Sequence, residues 1–520
     1  MNELTSVQKD INIEYLSKWL GIQTESGKTA LIKKTSEWIS DYTILCARSK
    51  KLLYTQQAIQ QNPSVAQEIN DIYKELSIIE PTIRSLSNNV STLENETYGE
   101  LFFMKQYTQS LNFIPYLLFF WMIFRLYILP GMSIFFPIII LIFPYIFLKF
   151  IFKVQVPITI PKYFTILQGI LSGNINVLFR CGEISDCSTS SPPWSALLRC
   201  IWIIIPIVQS IIQPYWTFKH LKSVNSIINE HVVILERFNS LYNKLSRCLQ
   251  KIGISGFRNP IPTYTTGREN MANILIHPIY FKYALQTVGK MEAFLCIANC
   301  VNICPIQWIS NTTPIFKISN TFDINIPISA HRTPFSLDFS EKRHSLLTGP
   351  NRGGKSTVLR AVVLSSLLAH TYGGAICTSC TMTPFRSMHV CIRTEDLPGT
   401  ISRFEHEVQF TADTIISGNK YKMPILVFID ELYHSTNPPD AFEACRIYCN
   451  QLWNMSNTIS IISTHIFDLV EQSNQSNIQR LCCDASINSF GHIQFKYNLR
   501  PGICKVSSVN EILKKYGILH

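Results

Sequence analysis

Apolar positions are spread unevenly along this chain. Between about residues 111 and 218 they run together; from about Ile324 onward they break into short runs separated by Gly, Pro and charged residues. Residues 126–148 carry no charge for 23 positions. As a helix that stretch is about 35 Å long, enough to cross a bilayer. Residues 111–124 are uncharged too, but their 14 positions give only roughly 21 Å. Continuing through Arg125 to Leu129 reaches a spanning length, with Arg125 one turn from Pro130-Gly131 and able to snorkel toward the far interface. Pro-Gly between two apolar runs is a turn signal, so the pattern predicts a helical hairpin, out and back. Lys105 precedes it and Lys149, Lys153 and Lys162 follow, which puts both ends in the cytosol under the positive-inside bias. A third run, 200–218, is uncharged yet contains Pro206, Gln209, Gln213 and Pro214. A third span, a re-entrant piece and a buried helix all fit it. The competing reading of the whole region is a large buried core, since buried helices are apolar all round. Twenty-three residues containing Ile-Ile-Ile-Leu-Ile-Phe favour the membrane.

The C-terminal pattern predicts alternating strands and helices. "HSLLTG" reads as a short buried strand, and the helix from Lys355 to Tyr372 places Val358, Leu359, Val362, Leu367 and Leu368 on one broad face. Gly373-Gly374 ends it as a C-cap should. The apolar run 425–429 and "TISIIS" at 458–463 read as further parallel strands. Upstream, 224–251 reads as an amphipathic helix decorated by Glu236, Arg237, Lys244 and Arg247. A solvated face is the ordinary meaning of such charges, and contact with DNA the alternative.

Composition sharpens the picture in three places. With 520 residues the chain has room for two to four domains. Hydrophobic residues at 47% and charged ones at 16% are apolar for a soluble protein. The net charge of +11 suits an anionic partner, and charge alone does not separate nucleic acid from a lipid surface. The 16 cysteines are scattered without framework spacing, which favours a reduced cytosolic compartment. Cys377 and Cys380 form a single C-x-x-C with no second pair at zinc-finger distance, so core thiols beside a strand explain them. The polar start "MNELTSVQKDINIEYL" shows no signal peptide.

The candidate chemistry follows the first C-terminal strand. Gly349, Pro350, Asn351, Arg352, Gly353, Gly354, Lys355, Ser356 and Thr357 satisfy G-x-x-x-x-G-K-[ST]. Glycines there let backbone N–H groups curl around phosphate oxygens, and the following helix offers its positive end. Lys355 would reach the β- and γ-phosphates of ATP, and Ser356 would ligate Mg2+. Such a loop needs an acid at the end of another strand, and "MPILVFIDEL" supplies Asp430 and Glu431. Asp430 would bind the metal through water, and Glu431 would orient or deprotonate the attacking water. "TISIIS" delivers Thr464-His465 to the corresponding place, where the histidine can contact the γ-phosphate or the water.

"TGPNRGGKST", "LVFIDEL" and "ISTH" resemble the ATPase domain of the MutS family, the DNA mismatch-repair clamps. "ISRFEHEV" at 401–408 resembles that family's S-x-F-x-x-E element, carried by Ser402, Phe404 and Glu407. The resemblance implies that Ser402 starts a helix aimed at the γ-phosphate bound by the opposite subunit. It therefore implies a homodimer with composite ATP sites and a link to duplex DNA. "FKYNLRPG" followed by "VNEILKKYGI" is similar to the closing segment in compact, membrane-linked members. "LQTVGKMEAFLCIANCV" resembles the helix leading into the ATPase, and "KDINIEYLSKWLGIQTESGKTALIKK" the start of the helical core. The resemblance covers about 340–518 specifically, and 1–100 and 220–310 faintly. This chain departs from the pattern in several places. Arg352 stands where methionine is usual. The loop 433–441 has two prolines where the family is glycine-rich, although Asp440 is kept. The mismatch-reading domain with its Phe-x-Glu wedge has no counterpart.

Together these readings predict an α/β P-loop NTPase domain, ABC/MutS-like with a mainly parallel sheet and flanking helices. An α-helical core interrupted by a transmembrane hairpin precedes it. The expected organisation is a helical N-terminal segment (1–105), a membrane region (106–218), a helical lever (219–310) and the ATPase domain (311–520). Packing of the two core halves together requires an even number of crossings, with the ATPase domain in the cytosol. The expected function is a membrane-tethered ATPase whose ATP-driven dimer closure is coupled to DNA. The alternatives are a membrane-remodelling or transport-like ATPase indifferent to DNA, and a nucleotide-gated scaffold with little turnover.

Overall fold

The computed structural model describes residues 7–88, 97–146, 193–392 (328, 330 and 331 apart) and 403–506 (421, 434–436, 474 and 489–492 apart). Residues 159, 161, 163, 513 and 517 are described as isolated positions. The chain folds as two compact units: Met1–Glu80, Leu241–Asn259 and Tyr283–His520 form one, and Pro81–Ser240 with Pro260–Lys282 the other. Helices α1 (Ile13–Trp19), α2 (Glu25–Thr35), α3 (Tyr42–Gln61) and α4 (Pro63–Asn88) come first. After them come α5 (Leu117–Ile123), α6 (Leu129–Ile146), the 59-residue α7 (Pro193–Lys251), α8 (Gly267–Ile276) and α9 (Pro278–Asn299). Strands then dominate: β1 (Ile303–Pro305), β2 (Gln307–Trp308), β3 (Phe316–Thr321), β4 (Phe335–Asp338) and β5 (His344–Thr348) lead into α10 (Lys355–Tyr372). Beyond it lie β6 (Gly374–Ile376), β7 (Ser379–Met382), β8 (Ser387–Cys391), α11 (Arg403–Lys420), β9 (Ile425–Asp430) and α12 (Pro438–Trp453). The described elements close with β10 (Thr458–Ser463), α13 (Phe467–Gln472), β11 (Ile478–Ile487) and β12 (Ile493–Pro501).

Six strands form the central sheet of the first unit, in the order β12-β11-β5-β10-β9-β8. All neighbours pair in parallel except β12, which runs antiparallel to β11. This is the mainly parallel α/β sheet that the sequence predicts. β5 and β10 are buried at every position and β9 at all but its last, as strands covered by helices on both faces must be. Their uninterrupted apolar runs follow from that burial. The C-x-x-C thiols are both buried, Cys377 just after β6 and Cys380 on β7.

Segments more than 250 residues apart close around the start of α2. Gly289 of α9 lies so near that a Cβ there would come within 2.3 Å of the Ser26 carbonyl group; only glycine permits this approach. Glu292 accepts the backbone N–H of Gln23 at 2.7 Å, and Glu80 accepts those of Glu25 and Ser26 at 2.8 Å each. Two buried carboxylates thus satisfy the orphan donors at the positive end of α2. Burial raises the pKa of Glu292.

The other end of this helical layer grips the C-terminus of α10. Arg48 of α3 donates to the carbonyls of His370 (3.2 Å) and Thr371 (2.7 Å), and Ser49 donates to that of Gly373 (2.7 Å). Trp38 stacks on the His370 imidazole at 3.9 Å. Displacement of α10 along its axis would therefore be felt directly by α3.

In the second unit the expected hairpin turn is not formed. Leu117 to Ile146 is one continuous helical run in which Phe124–Ile128 makes a single π-turn. Proline in a regular helix collides with the carbonyl four residues back. Immediately before Pro130 the ladder widens, so that the Leu129 N–H reaches the Phe124 carbonyl; a π-turn accommodates the ring without ending the helix. Arg125 does not snorkel toward a far interface either. Its Nε donates to the Glu100 carbonyl (3.1 Å), its guanidinium lies 3.7 Å from the Glu100 carboxylate, and Trp121 lies beneath it. A charged side chain on an apolar helix is satisfied by the nearest anion. Residues 147 and 148, the end of the supposed return limb, lie outside the described residues. The run 200–218 lies within α7 as unbroken helix. Among the described residues one helix, Leu117–Phe135, is long and apolar enough to cross a membrane, and only 17% of that stretch is buried.

Candidate functional site

Parallel pairing brings three strand ends to one edge of the sheet. Ser463 of β10 is in register with Asp430 of β9 on one side and with Leu347 of β5 on the other. The phosphate loop after β5, the acidic pair at the end of β9, and Thr464-His465 after β10 therefore meet. Gly354 sits at φ +102, a conformation that L side chains resist. It precedes α10 without any side-chain cap, so the first backbone N–H groups of that helix are left for an anion. Arg352 is held at φ +67 and is exposed; it is a solvated loop arginine.

Lys355 is 5% exposed. Its ammonium donates to the Gly349 carbonyl at 3.2 Å and lies 2.9 Å from His465 Nε2 and 3.7 Å from Glu431 Oε1. Glu431 Oε1 is in turn 2.9 Å from the same imidazole nitrogen. That nitrogen has one in-plane position: it accepts from Lys355 or, when protonated, donates to Glu431. The three groups thus form a triangle with two settings. Asp430 accepts from the Ser463 hydroxyl, and the Glu431 backbone N–H donates to the Ser463 carbonyl at 3.1 Å. This bond holds Glu431 at φ +54, a strained value typical of functional positions.

The loop where the chain departs from the glycine-rich pattern acquires a clear role. Tyr433 is also left-handed, at φ +57, and buried. Its hydroxyl lies 2.7 Å from that of Thr411, and its ring packs 5.5 Å from Phe404. Both partners belong to α11, the helix that follows Ser402. Burial pushes the Tyr433 phenol up to about 12. Glu407 of the same helix is buried and paired with Arg403 at 3.4 Å. Ser402 itself lies outside the described residues, as do 434–436 of the altered loop. Sequence reasoning missed Tyr433, Ser463 and Tyr497. Tyr497 lies on β12 at φ +53, half exposed, with its ring edge 3.8 Å from the position a Cβ on Gly354 would take. Phe495 stacks beside it at 5.8 Å. An exposed aromatic two residues from another on an edge strand was the available signal.

Residues 345–518 match the family model for MutS domain V. Over these residues the chain carries a MutS-type ATPase domain. Members of that family are ATPases that use ATP with Mg2+ and act as dimers on DNA. The MutS domain of this chain fits those ligands by its own chemistry: an uncapped helix start for phosphate, a buried lysine aimed into the loop, and Asp430 at the end of β9, which β10 separates from β5.

Two buried histidines bracket the phosphate loop in the sequence, His344 at the start of β5 and His370 near the far end of α10. Burial lowers both to about 3, against about 6.5 in an unfolded chain. The folded state thus binds fewer protons, and stability present above pH 6.5 is lost as pH falls toward 3, by about 1.4 kcal/mol per unit per histidine. Melting followed by tryptophan fluorescence, with Trp38 and Trp308 against His370, should show a steep drop in transition temperature between pH 6.5 and 4.5. A flat profile would contradict neutral burial of these rings.

Proposed function

We propose that this chain is a membrane-tethered, MutS-like ATPase in which ATP drives closure of a homodimer and closure is coupled to duplex DNA. The observation that carries the reading is the convergence of Lys355, Glu431 and His465 at three adjacent parallel strand ends. In this reading the loop N–H groups and Lys355 hold the ATP phosphates, and Lys355 turns from its carbonyl partners to do so. Release of Lys355 frees His465 Nε2 for Glu431, whose carboxylate takes the proton of the attacking water. Ser356 and Asp430 would hold Mg2+, which neutralises charge on the phosphoryl group in transfer. Tyr497 offers its face to the base. Ser402, which precedes α11 in the sequence, serves the partner subunit's nucleotide in this reading, and Tyr433 ties that helix to the acidic loop. Arg48, Ser49 and Trp38 then pass the state of α10 to the helical layer.

Tethering is supported by the distribution of apolar surface. Phe119, Phe120, Ile128, Met132, Ile134 and Phe135 are exposed along the helical run from Leu117. Val208, Ile211, Ile212, Tyr215 and Trp216 are exposed on α7, followed by Lys219 over the Trp216 ring (5.4 Å) and Lys222 over Phe218 (5.9 Å). Aromatic rings backed by lysines suit a headgroup boundary. Met1–Glu80 and Tyr283–His520 share one unit, and in this reading the chain leaves the membrane's cytosolic side and returns to it. In this reading the first crossing is made by the run from Leu117 and the return by the start of α7.

The test is ATP hydrolysis by the full chain in vesicles, with and without duplex DNA, across salt. Stimulation by DNA that fades at high salt is the expected outcome. Robust turnover indifferent to DNA would discard the DNA coupling and leave a membrane-acting ATPase.

A further inference from the structure

Behind the MutS domain, at the far end of α10 from the phosphate loop, lies a cavity of about 460 Å³. Four helices build it: Ala30, Lys33, Lys34 and Glu37 from α2 and its end, Arg48 and Lys51 from α3, Lys290, Met291 and Phe294 from α9, and Thr371 and Tyr372 from α10. Five of its lining side chains are cationic and Glu37 is the one carboxylate among them, already engaged by Lys34 at 2.6 Å. Lys33 in the last turn of α2 complements a helix dipole in the ordinary way. Lys51 and Lys290 do not: each lies mid-helix, and both are directed to the same hollow. Negative carbonyls at the end of α10 would repel an anion, but Arg48 already covers those of His370 and Thr371. The rest of the wall sets the hydroxyl-bearing Thr287, Thr371 and Tyr372 beside apolar Ala30, Met291 and the Phe294 ring, over which Lys51 sits at 5.1 Å.

We propose that this cavity binds a free nucleoside monophosphate, its phosphate held by Lys33, Lys51 and Lys290 and its base against Phe294. A volume of this size belongs to small-molecule sites. A ring beside converging cations suits a planar group carrying a dianion rather than inorganic phosphate. Occupancy would bear on the helices that grip the end of α10, behind the phosphate loop. The site stands independently of ATP chemistry at the loop.

Equilibrium dialysis of the full chain carrying Lys355→Ala, which disables the phosphate loop, tests it with labelled UMP. The expected result is saturable binding of one UMP per chain. Lys51→Glu with Lys290→Glu should weaken it at least about tenfold, and Phe294→Ala about threefold to tenfold. Both lysines are exposed, so these variants should fold, as a melting curve will verify. Inorganic phosphate should bind more weakly than UMP. Absence of saturable UMP binding, or binding untouched by the charge reversals, would overturn the proposal. Preference for a single-stranded oligonucleotide over UMP would overturn it in favour of a polymer groove.

Discussion

Lys355→Ala is expected to weaken Mg-ATP binding about a hundredfold or more. The ammonium is buried at the mouth of an uncapped helix, where its alternatives are backbone carbonyls and an imidazole. Exchanging those for phosphate oxygens gains charge-assisted bonds worth about 3 kcal/mol, which is about two decades in affinity. The substitution also leaves Glu431 facing the phosphates without a cation between them. Titration with a fluorescent ATP analogue measures the loss, with thermal melting to confirm that the chain is folded. Unchanged affinity in a folded variant would remove Lys355 from the phosphate site.

Glu431→Gln has the opposite signature. It keeps an oxygen at the 2.9 Å contact to His465 but removes the carboxylate proposed as the base, and hydrolysis should fall by about 10² to 10⁴. ATP affinity should be unchanged or tighter, because the 3.7 Å attraction that holds Lys355 back is gone. Bound ATP would then accumulate, and with it the closed dimer, visible as a shift in sedimentation on adding Mg-ATP. A chain that stays monomeric with ATP bound would contradict closure through composite sites.

The features legible in the sequence were those encoded locally. The loop at 349–357, the run ending in Asp430-Glu431 and the one ending in Thr464-His465 each announce a strand end, and parallel pairing alone suffices to bring them together. The helix Lys355–Tyr372 and its glycine stop fell at the expected residues, since both signals lie within one turn of the boundary. What could not be read depends on register or on distant partners. Ser463 matters only because it pairs with Asp430. Tyr433 looked like the loss of a flexible glycine, whereas its hydroxyl reaches Thr411 across 22 residues of chain. Arg48 and Trp38 meet α10 more than 320 residues away. Pro130-Gly131 misled for a different reason: turn propensity is judged against a regular α-helix, and a π-turn removes the clash on which that judgement rests.

The central claim is that Glu431, set by its strained backbone beside Lys355 and His465, performs ATP hydrolysis in a site shared between two chains. Steady-state phosphate release by the solubilised full chain, beside Glu431→Gln and over a range of protein concentrations, tests it most directly. Turnover per chain that rises with concentration as dimers form, and disappears in Glu431→Gln, is the expected result. Equal turnover in both chains, or turnover per chain independent of concentration down to the monomer, would contradict it.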